Sequence, residues 1–455
     1  MPQLDDLEIK REVDEILNRW PAVGLAVGVV RHGALESFSG HGVADIESAM
    51  PVTGDTVFRI GSITKTFTAV AVMQLQEQGL IDLDAPANDY LRGFQLMPAK
   101  TSWPPATVRH LLTHTAGVPE WLHPSRMTRI WTYTDHGFAT LGQIVEDVSG
   151  QPLHSYFRER IFEPLGMTDT DLLRSQRLTS RLATGYRLRS GGAVAVTDRQ
   201  GVTAAAGAIY STTWDMARYV AALLGRGSGE HGSILKPETV SLMFEPHYQP
   251  DPRLPGIGLA FWRADLGGHS GVEHQGVVPG FNSQIFLAPD DGIGIIAFTN
   301  GSRNASGWLT GEMEQLLREL IGARRQGIRA DVPQHPEIWV ELCGWYRPRA
   351  QRTDMMAWAN LGAGVRITVR RGQLILRTMS PIPALYRGLQ LHPDATEDPY
   401  VFRIDLFKYG LGTVRVVFSR DPSGMTTGVH FGGLLLSADK HPGRPPGFRY
   451  ARRPT

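Results

Sequence analysis

Phe58-Arg59-Ile60-Gly61-Ser62-Ile63-Thr64-Lys65 reads as an apolar approach that breaks at Gly61 and opens a helix at Ser62. The helix pattern runs from Ser62 to Gln78, and Gly79 suits the C′ position beyond its end. On a helix, i and i+3 share a face, so the Lys65 amine lies beside the Ser62 hydroxyl. The helix start adds free N–H groups and a positive dipole end, both suited to a developing oxyanion. A serine hydroxyl is a poor nucleophile until a base takes its proton. Lysine serves as that base when burial and neighbouring positive charge lower its pKa. The neighbours Ile63, Phe67, Ala69 and Val70 predict partial desolvation of Lys65. The plainer alternative is a capping serine followed by a surface lysine.

Ser-x-x-Lys occurs three times although the chain has only six lysines: Ser62–Lys65, Ser233–Lys236 and Ser437–Lys440. Context separates them. Ser233–Lys236 ends against Pro237, before its helix begins, so no helical geometry fixes the pair. Ser437–Lys440 runs from Leu434-Leu435-Leu436 into His441-Pro442-Gly443, a strand end and turn.

Outward from Ser62, the chain is organised in two parts. Ile9, Val13, Ile16, Leu17 and Trp20 share one helical face, and Pro21 stops that helix. Val23 to Val30 is an apolar run that turns at Arg31-His32-Gly33, which predicts a hairpin. Phe138, Leu141, Val145 and Val148 mark a helix before Gly150, with Asp135 as its expected cap. Phe286, Ile293, Ile295, Ile296 and Phe298 flank the turn Pro289-Asp290-Asp291-Gly292. Leu309, Met313, Leu316, Leu317 and Leu320 form a last amphipathic helix. Strands at both ends with helices between predict one mixed domain over 1–325. Residues 326–336 read as a linker. Over 337–455 the period changes to two: Val365, Ile367, Val369; Leu374, Leu376; Phe402, Ile404, Leu406; Val414, Val416, Phe418. A small antiparallel sheet or barrel is the natural outcome.

Composition narrows the function classes. The 455 residues are 42% hydrophobic and 20% charged, enough for a sizeable core. A formal net charge of +1 argues against bulk nucleic-acid binding. The charge is uneven: from Gln334 onward 17 Lys and Arg stand against 9 Asp and Glu. Those arginines either hold an anionic substrate group or form a solvated basic face. Arg444, Arg449, Arg452 and Arg453 are the candidates for a carboxylate clamp. The single cysteine, Cys343, excludes an internal disulfide and a Cys-rich zinc site. No apolar run reaches the roughly 18 residues needed to cross a bilayer. The acidic N-terminus does not resemble a signal peptide, so a cytoplasmic protein is expected.

The ordered blocks around Ser62 carry a resemblance. They are Phe58 to Lys65, Arg109-His110-Leu111-Leu112-Thr113-His114-Thr115-Ala116-Gly117, and Gly137-Phe138-Ala139-Thr140-Leu141-Gly142. Pro164 to Thr170 and Ala206-Gly207 with Ser211-Thr212 follow. This set resembles the serine β-lactamase and penicillin-binding-protein superfamily, nearest to its class C, esterase and D-aminopeptidase branch. The resemblance spans roughly residues 15–325. It implies an α+β fold, a β-lactamase/transpeptidase-like domain with an antiparallel sheet, flanking helices and a helical subdomain. The C-terminal antiparallel β-barrel, starting near Leu342-Cys343-Gly344-Trp345-Tyr346, loosely resembles the lipocalin-like domain of some relatives.

The resemblance further implies Ser62 as the acylated nucleophile, Lys65 as its helix partner and Tyr133 as the proton-shuttling tyrosine. Asp135 stands where an asparagine is commonest and would orient substrate. His274 replaces the lysine of a Lys-Thr-Gly strand, and Gly276 follows it in the substrate-binding position. His274 is preferred to the His-x-Gly triplets at His269, His430 and His441, because Pro279-Gly280-Phe281 follows it. The oxyanion hole would be the backbone N–H groups of Ser62 and Val277. One departure stands out: Tyr133 lies only 71 residues after Ser62, and Met127-Thr128-Arg129-Ile130 replaces the usual Pro-Gly. His110 and His114, four apart, lack a His-Glu-x-x-His context, so no metal and no cofactor is expected. The expected activity is a serine hydrolase acting through an acyl-enzyme on ester or amide substrates, peptides included. An acyltransferase or peptide cyclase, or a catalytically silent binding protein, are the alternatives. Expected partners are a small-molecule or peptide substrate, with no nucleic acid and no membrane; a homo-oligomer is left open.

Overall fold

The computed structural model describes residues 5–98, 102–118, 131–198, 203–350, 354–380 and 382–443. The stretch Met127 to Ile130 and the arginines at 444, 449, 452 and 453 lie outside the described residues. The chain divides into two compact units. The first comprises Met1–Tyr248, Pro255–Gln326 and Leu406–Gly412; the second comprises Gln249–Leu254, Gly327–Asp405 and Thr413–Thr455.

The first unit is built on an antiparallel seven-stranded sheet. Its strands are β1 (Gly24–Arg31), β2 (Ala34–Asp45), β3 (Met50–Pro51), β4 (Trp262–Asp265), β5 (Ser270–Val278), β6 (Phe281–Ala288) and β7 (Ile293–Thr299). The order is β3-β2-β1-β7-β6-β5-β4, so the two ends of this sequence region pair at the centre, β1 with β7. The predicted hairpin is present, with His32 and Gly33 both at positive φ in the turn.

Both faces of the central strands are covered, which is why β1 and β7 are buried at every position. On one face Leu25, Val27, Val29, Ile295 and Ala297 pack against α1 (Asp6–Arg19) and the last helix of the unit, Ala305–Leu320. Trp308 sits in this layer with no exposure. Burying such a ring removes about 200 Å² from water, on the order of 5 kcal/mol before its entropy cost. On the other face Ala26, Val30, Ile296 and Phe298 join a helical layer containing α2 (Thr64–Glu77), α3 (Val108–Leu112), α4 (Asp135–Ser149), α5 (Ala204–Gly207) and α6 (Thr213–Leu224). α2 runs through this layer, buried from Thr64 to Leu75. That burial anchors the residues that precede it. At α4 the cap is Thr134, whose side chain accepts the His136 N–H; Asp135, the expected cap, is the first helical residue instead.

The second unit holds a nine-stranded antiparallel sheet. Its strands are β8 (Gly344–Pro348), β9 (Val365–Arg370), β10 (Gln373–Thr378), β11 (Leu389–Gln390), β12 (His392–Pro393), β13 (Val401–Asp405), β14 (Thr413–Arg420), β15 (Thr426–Phe431) and β16 (Ser437–His441). The order β11-β10-β9-β8-β16-β15-β14-β13-β12 leaves β11 and β12 as the ends, with only Leu391 between them in sequence. The sheet is thus a nearly closed barrel. Inward residues include Tyr346, Ile367, Leu376, Phe402 and Phe418, with Phe402 and Phe418 in edge contact at 5.7 Å. Two arginines are held inside: Arg403 and Arg415 both pair with the buried Asp394, while Arg349 pairs with Asp439 at the surface.

Candidate active site

Ser62 occupies a 3-10 turn, Gly61–Ile63, that feeds directly into α2. Its approach is fixed by the strand pair Phe58–Arg59 with Tyr210–Ser211, and by the Ser283 hydroxyl donating to the Ile60 carbonyl at 2.7 Å. Gly61 adopts φ +52°, a left-handed conformation that favours glycine. A Cβ at Gly61 would lie 2.8 Å from the Val277 nitrogen, and one at Gly276 would lie 2.0 Å from the Ile60 carbonyl oxygen. Two glycines therefore let β5 come against the Ser62 turn. That closeness sets the Val277 nitrogen beside Gly61, the residue before Ser62. Val277 itself is 51% exposed, at the rim.

Lys65 is completely buried, and its Nζ donates to three acceptors. These are Ser62 Oγ at 2.9 Å, Asp135 Oδ1 at 2.6 Å and the Ala206 carbonyl at 3.0 Å. The other Ser-x-x-Lys matches make different contacts. Ser233 Oγ donates to the carbonyls of Gly227 and Leu235. Ser437 Oγ shares a hydrogen bond with His430, while the Lys440 ammonium reaches the Glu341 carbonyl.

The electrostatics of Lys65 depart from the sequence expectation. Burial alone pushes its pKa down, but the negative charges of an ionised Tyr133 and of Asp135 outweigh it, and the net direction is up. Asp135, read from sequence as a substrate-orienting residue, is the ion-pair partner of Lys65. Tyr133 also moves up, chiefly because burial disfavours its phenolate; its hydroxyl interacts with both Lys65 and Ser62. The Lys65 ammonium stands 4.8 Å from the centre of the Tyr133 ring. Lys65 and Tyr133 therefore titrate as one coupled pair, with the Asp135 carboxylate in contact with the lysine.

Sequence reasoning weighed His114 only as a zinc ligand and missed what it holds. Its carbonyl accepts the Thr132 N–H at 2.9 Å, and its Nδ1 accepts the Thr134 N–H at 3.2 Å. The backbone is therefore gripped on both sides of Tyr133, whose ring lies 4.5 Å from the imidazole. Because Nδ1 accepts, the ring proton is on Nε2. Burial and the nearby Lys65 charge keep this imidazole neutral, far below its usual range. The sequence signal was the His114-Thr115-Ala116-Gly117 turn, in which His114 itself takes φ +56°. His110 caps α3 instead, through Nδ1 and Thr107.

His274 lies on β5, 1% exposed, with Nδ1–H donating to the Gln275 carbonyl at 2.7 Å. Burial first, and then the positive Lys65, push its pKa down to about 3. Its Nε2 is a buried lone pair with no partner among the described residues. His269, the rival, is part-exposed and pairs with Asp291. Structure thus gathers Ser62, Lys65, Tyr133 and Asp135 by direct contact, sets His274 within electrostatic reach of Lys65, and brings Gly276 and Val277 against the Ser62 turn. Among the described residues, no group of three His, Cys, Asp or Glu side chains is arranged to hold a metal ion. No described helix is long and apolar enough to cross a membrane.

The Beta-lactamase family profile matches residues 9–317, most of the chain. The chain belongs to the Beta-lactamase family. A putative penicillin-binding protein, PbpX, from Bacillus subtilis is 26% identical over 70% of this chain and 81% of its own length. Esterase EstB from Burkholderia gladioli is 31% identical over a shorter stretch, 34% of this chain and 48% of the esterase. Among solved structures, the octameric penicillin-binding protein homologue from Pyrococcus abyssi superposes with a TM-score of 0.62. It is 21% identical, covering 96% of this chain and all of that one, a likeness of fold that includes the C-terminal unit.

Proposed function

We propose that this protein is a serine hydrolase that acts through an acyl-enzyme on esters or amides. The observation that carries the reading is the 2.9 Å contact between Ser62 Oγ and the buried Lys65 Nζ, beside Tyr133. In this mechanism the Lys65–Tyr133 couple loses one proton and then accepts the one leaving Ser62. Ser62 Oγ bonds to the carbonyl carbon, and the carbonyl oxygen gains negative charge opposite the N–H groups of Ser62 and Val277. The couple returns the proton to the departing alcohol or amine. Water then repeats the sequence in reverse and frees Ser62. Gly276 lines the substrate side of this arrangement in our reading, and Asp135 holds Lys65.

His274 gives the reading a substrate preference. A neutral imidazole stands where the family resemblance places a cationic lysine, so no charge at that position grips a substrate carboxylate. Activated esters without a carboxylate are therefore expected to acylate Ser62 faster than penicillins. The test is intact-protein mass after mixing with a fluorophosphonate, an activated ester, a penicillin and a D-alanyl ester, with Ser62→Ala as control. Adducts confined to the wild type support the assignment. No adduct from any donor, in protein shown to be folded, would overturn it.

A further inference from the structure

We propose that Asp135 acts through Lys65 as a positioning residue, holding it as an ammonium and so confining the arming of Ser62 to alkaline solution. The inference rests on Ser62 being the nucleophile and deepens that reading. It starts from the groups around Nζ, which donates to Ser62 Oγ, Asp135 Oδ1 and the Ala206 carbonyl and has the Tyr133 hydroxyl beside it. Of the three, the Asp135 carboxylate and the Ala206 carbonyl can only accept. The Ser62 hydroxyl can also donate. When Nζ loses one proton, its two remaining N–H bonds stay with Asp135 and Ala206. The lone pair is then left to the Ser62 and Tyr133 hydroxyls, either of which can donate to it. The same geometry thus has a resting state, with nitrogen donating to Ser62, and an armed state, with nitrogen accepting from it.

What decides between the two states is the charge facing Lys65. From the loop before α4 come Tyr133 and, at the first turn of α4, Asp135. From the segment after α3 comes His114, and from β5 comes His274. Both imidazoles are neutral, so they add no positive charge to expel the proton. Burial favours the amine; negative charge on Tyr133 and the Asp135 carboxylate at 2.6 Å favour the ammonium. An asparagine in the same place keeps the oxygen acceptor and removes the charge. In the family resemblance that asparagine is the commoner residue; the aspartate is the departure in this chain.

Arming costs one proton, and the balance is closed. The ammonium releases it to solvent. The amine then accepts the Ser62 proton as the Oγ–carbonyl bond forms, and passes it to the leaving group as that bond breaks. No other reactant is needed.

The test compares wild type, Asp135→Asn and Asp135→Glu across pH 5.5 to 10. Two readouts are taken: the rate of Ser62 acylation by 4-nitrophenyl acetate, and the titration of Lys65 followed by the 13Cε resonance in protein labelled at its six lysines. Lys65→Arg assigns the resonance. In Asp135→Asn, the acid limb of the rate profile and the Lys65 titration both move down by at least about one pH unit, a tenfold faster acylation on the acid side. Asp135→Glu keeps both near the wild-type position. A Lys65 titration that stays in place in Asp135→Asn, with only KM altered, overturns the inference and leaves Asp135 a substrate contact. The readouts separate the two ideas: absent acylation with a shifted Lys65 titration refutes the nucleophile assignment while supporting the Asp135–Lys65 coupling.

Discussion

Ser62–Lys65 and Ser437–Lys440 have the same spacing and opposite fates. The first pair lies on a turn running into a helix, where positions three apart share a face, and its nitrogen and oxygen meet at 2.9 Å. The second lies on β16, where successive side chains point to opposite faces, so residues three apart diverge. Ser437 turns to His430, its cross-strand neighbour on β15, and Lys440 turns to a backbone carbonyl. Burial differs as well: Lys65 is wholly enclosed, whereas Lys440 keeps part of its surface in solvent. Four letters of sequence specify chemistry only when the backbone period puts them on one side and the fold removes water from them.

The largest expected effect breaks this comparison at its strongest point. Ser62→Ala should lower turnover of an activated ester by at least about 10³-fold, the scale of losing a covalent nucleophile. Ser437→Ala should leave turnover unchanged. Steady-state rates and intact mass on both variants check the pair, and equal losses would mean that the helical pair is not the reacting one. Next in size is Tyr133→Phe. It removes only the hydroxyl, so the ring stays against His114, and the expected loss in kcat is about 10² to 10⁴-fold, the usual worth of a general acid–base group. A change confined to KM would assign Tyr133 to binding instead.

How much of this was legible in the sequence depended on range. The hairpin at His32-Gly33, the helix ending at Gly79 and the last amphipathic helix are set by residues within a turn or two, and they are where the pattern placed them. The Ser62–Lys65 contact is equally local. The charge on Lys65 is not, because Asp135 lies 70 residues away and its carboxylate reaches back into the site. The cap of α4 was misplaced by one residue for a related reason. Thr134 and Asp135 are both good caps, and the ion pair claims the aspartate. Nothing local to His114 shows that its carbonyl and ring hold the backbone either side of Tyr133. The sequence leaves the C-terminal arginines open between a ligand clamp and a solvated face. Arg403 and Arg415 meet Asp394 only once their strands are paired.

A smaller test sharpens the geometric side of the comparison. Gly276→Ala would place a methyl group 2.0 Å from the Ile60 carbonyl oxygen and 2.2 Å from Ser283 Oγ. β5 must then retreat from the Ser62 turn. A displacement of about 1 Å costs up to ~10²-fold in rate. Acylation by the same ester should fall accordingly while the far-ultraviolet circular dichroism stays native. Retained activity would separate β5 from the oxyanion hole.

The smallest effect concerns stability and sits one residue from His274 on β5. Glu273 points to the other face of the sheet from His274, toward Ala305–Leu320, and accepts a hydrogen bond from Gln284 Nε2 at 2.7 Å. Gln284 in turn accepts from Thr310, to which Gln275 also donates. Burial pushes the Glu273 carboxyl up to about 7, and Glu314 adds to the rise. In the folded protein this group keeps its proton where the unfolded chain, with the ordinary value of 4.5, has released it. Folding stability therefore falls as pH rises from about 4.5 through 7, and the full penalty is present above that window. Glu273→Gln keeps the oxygen acceptor and removes the charge. It should gain about 1–3 kcal/mol at pH 8 and nothing at pH 4. Thermal unfolding of the two proteins at both pH values measures the difference. Equal shifts at the two pH values would show that the gain comes from packing, and that the face opposite Ser62 is electrostatically inert.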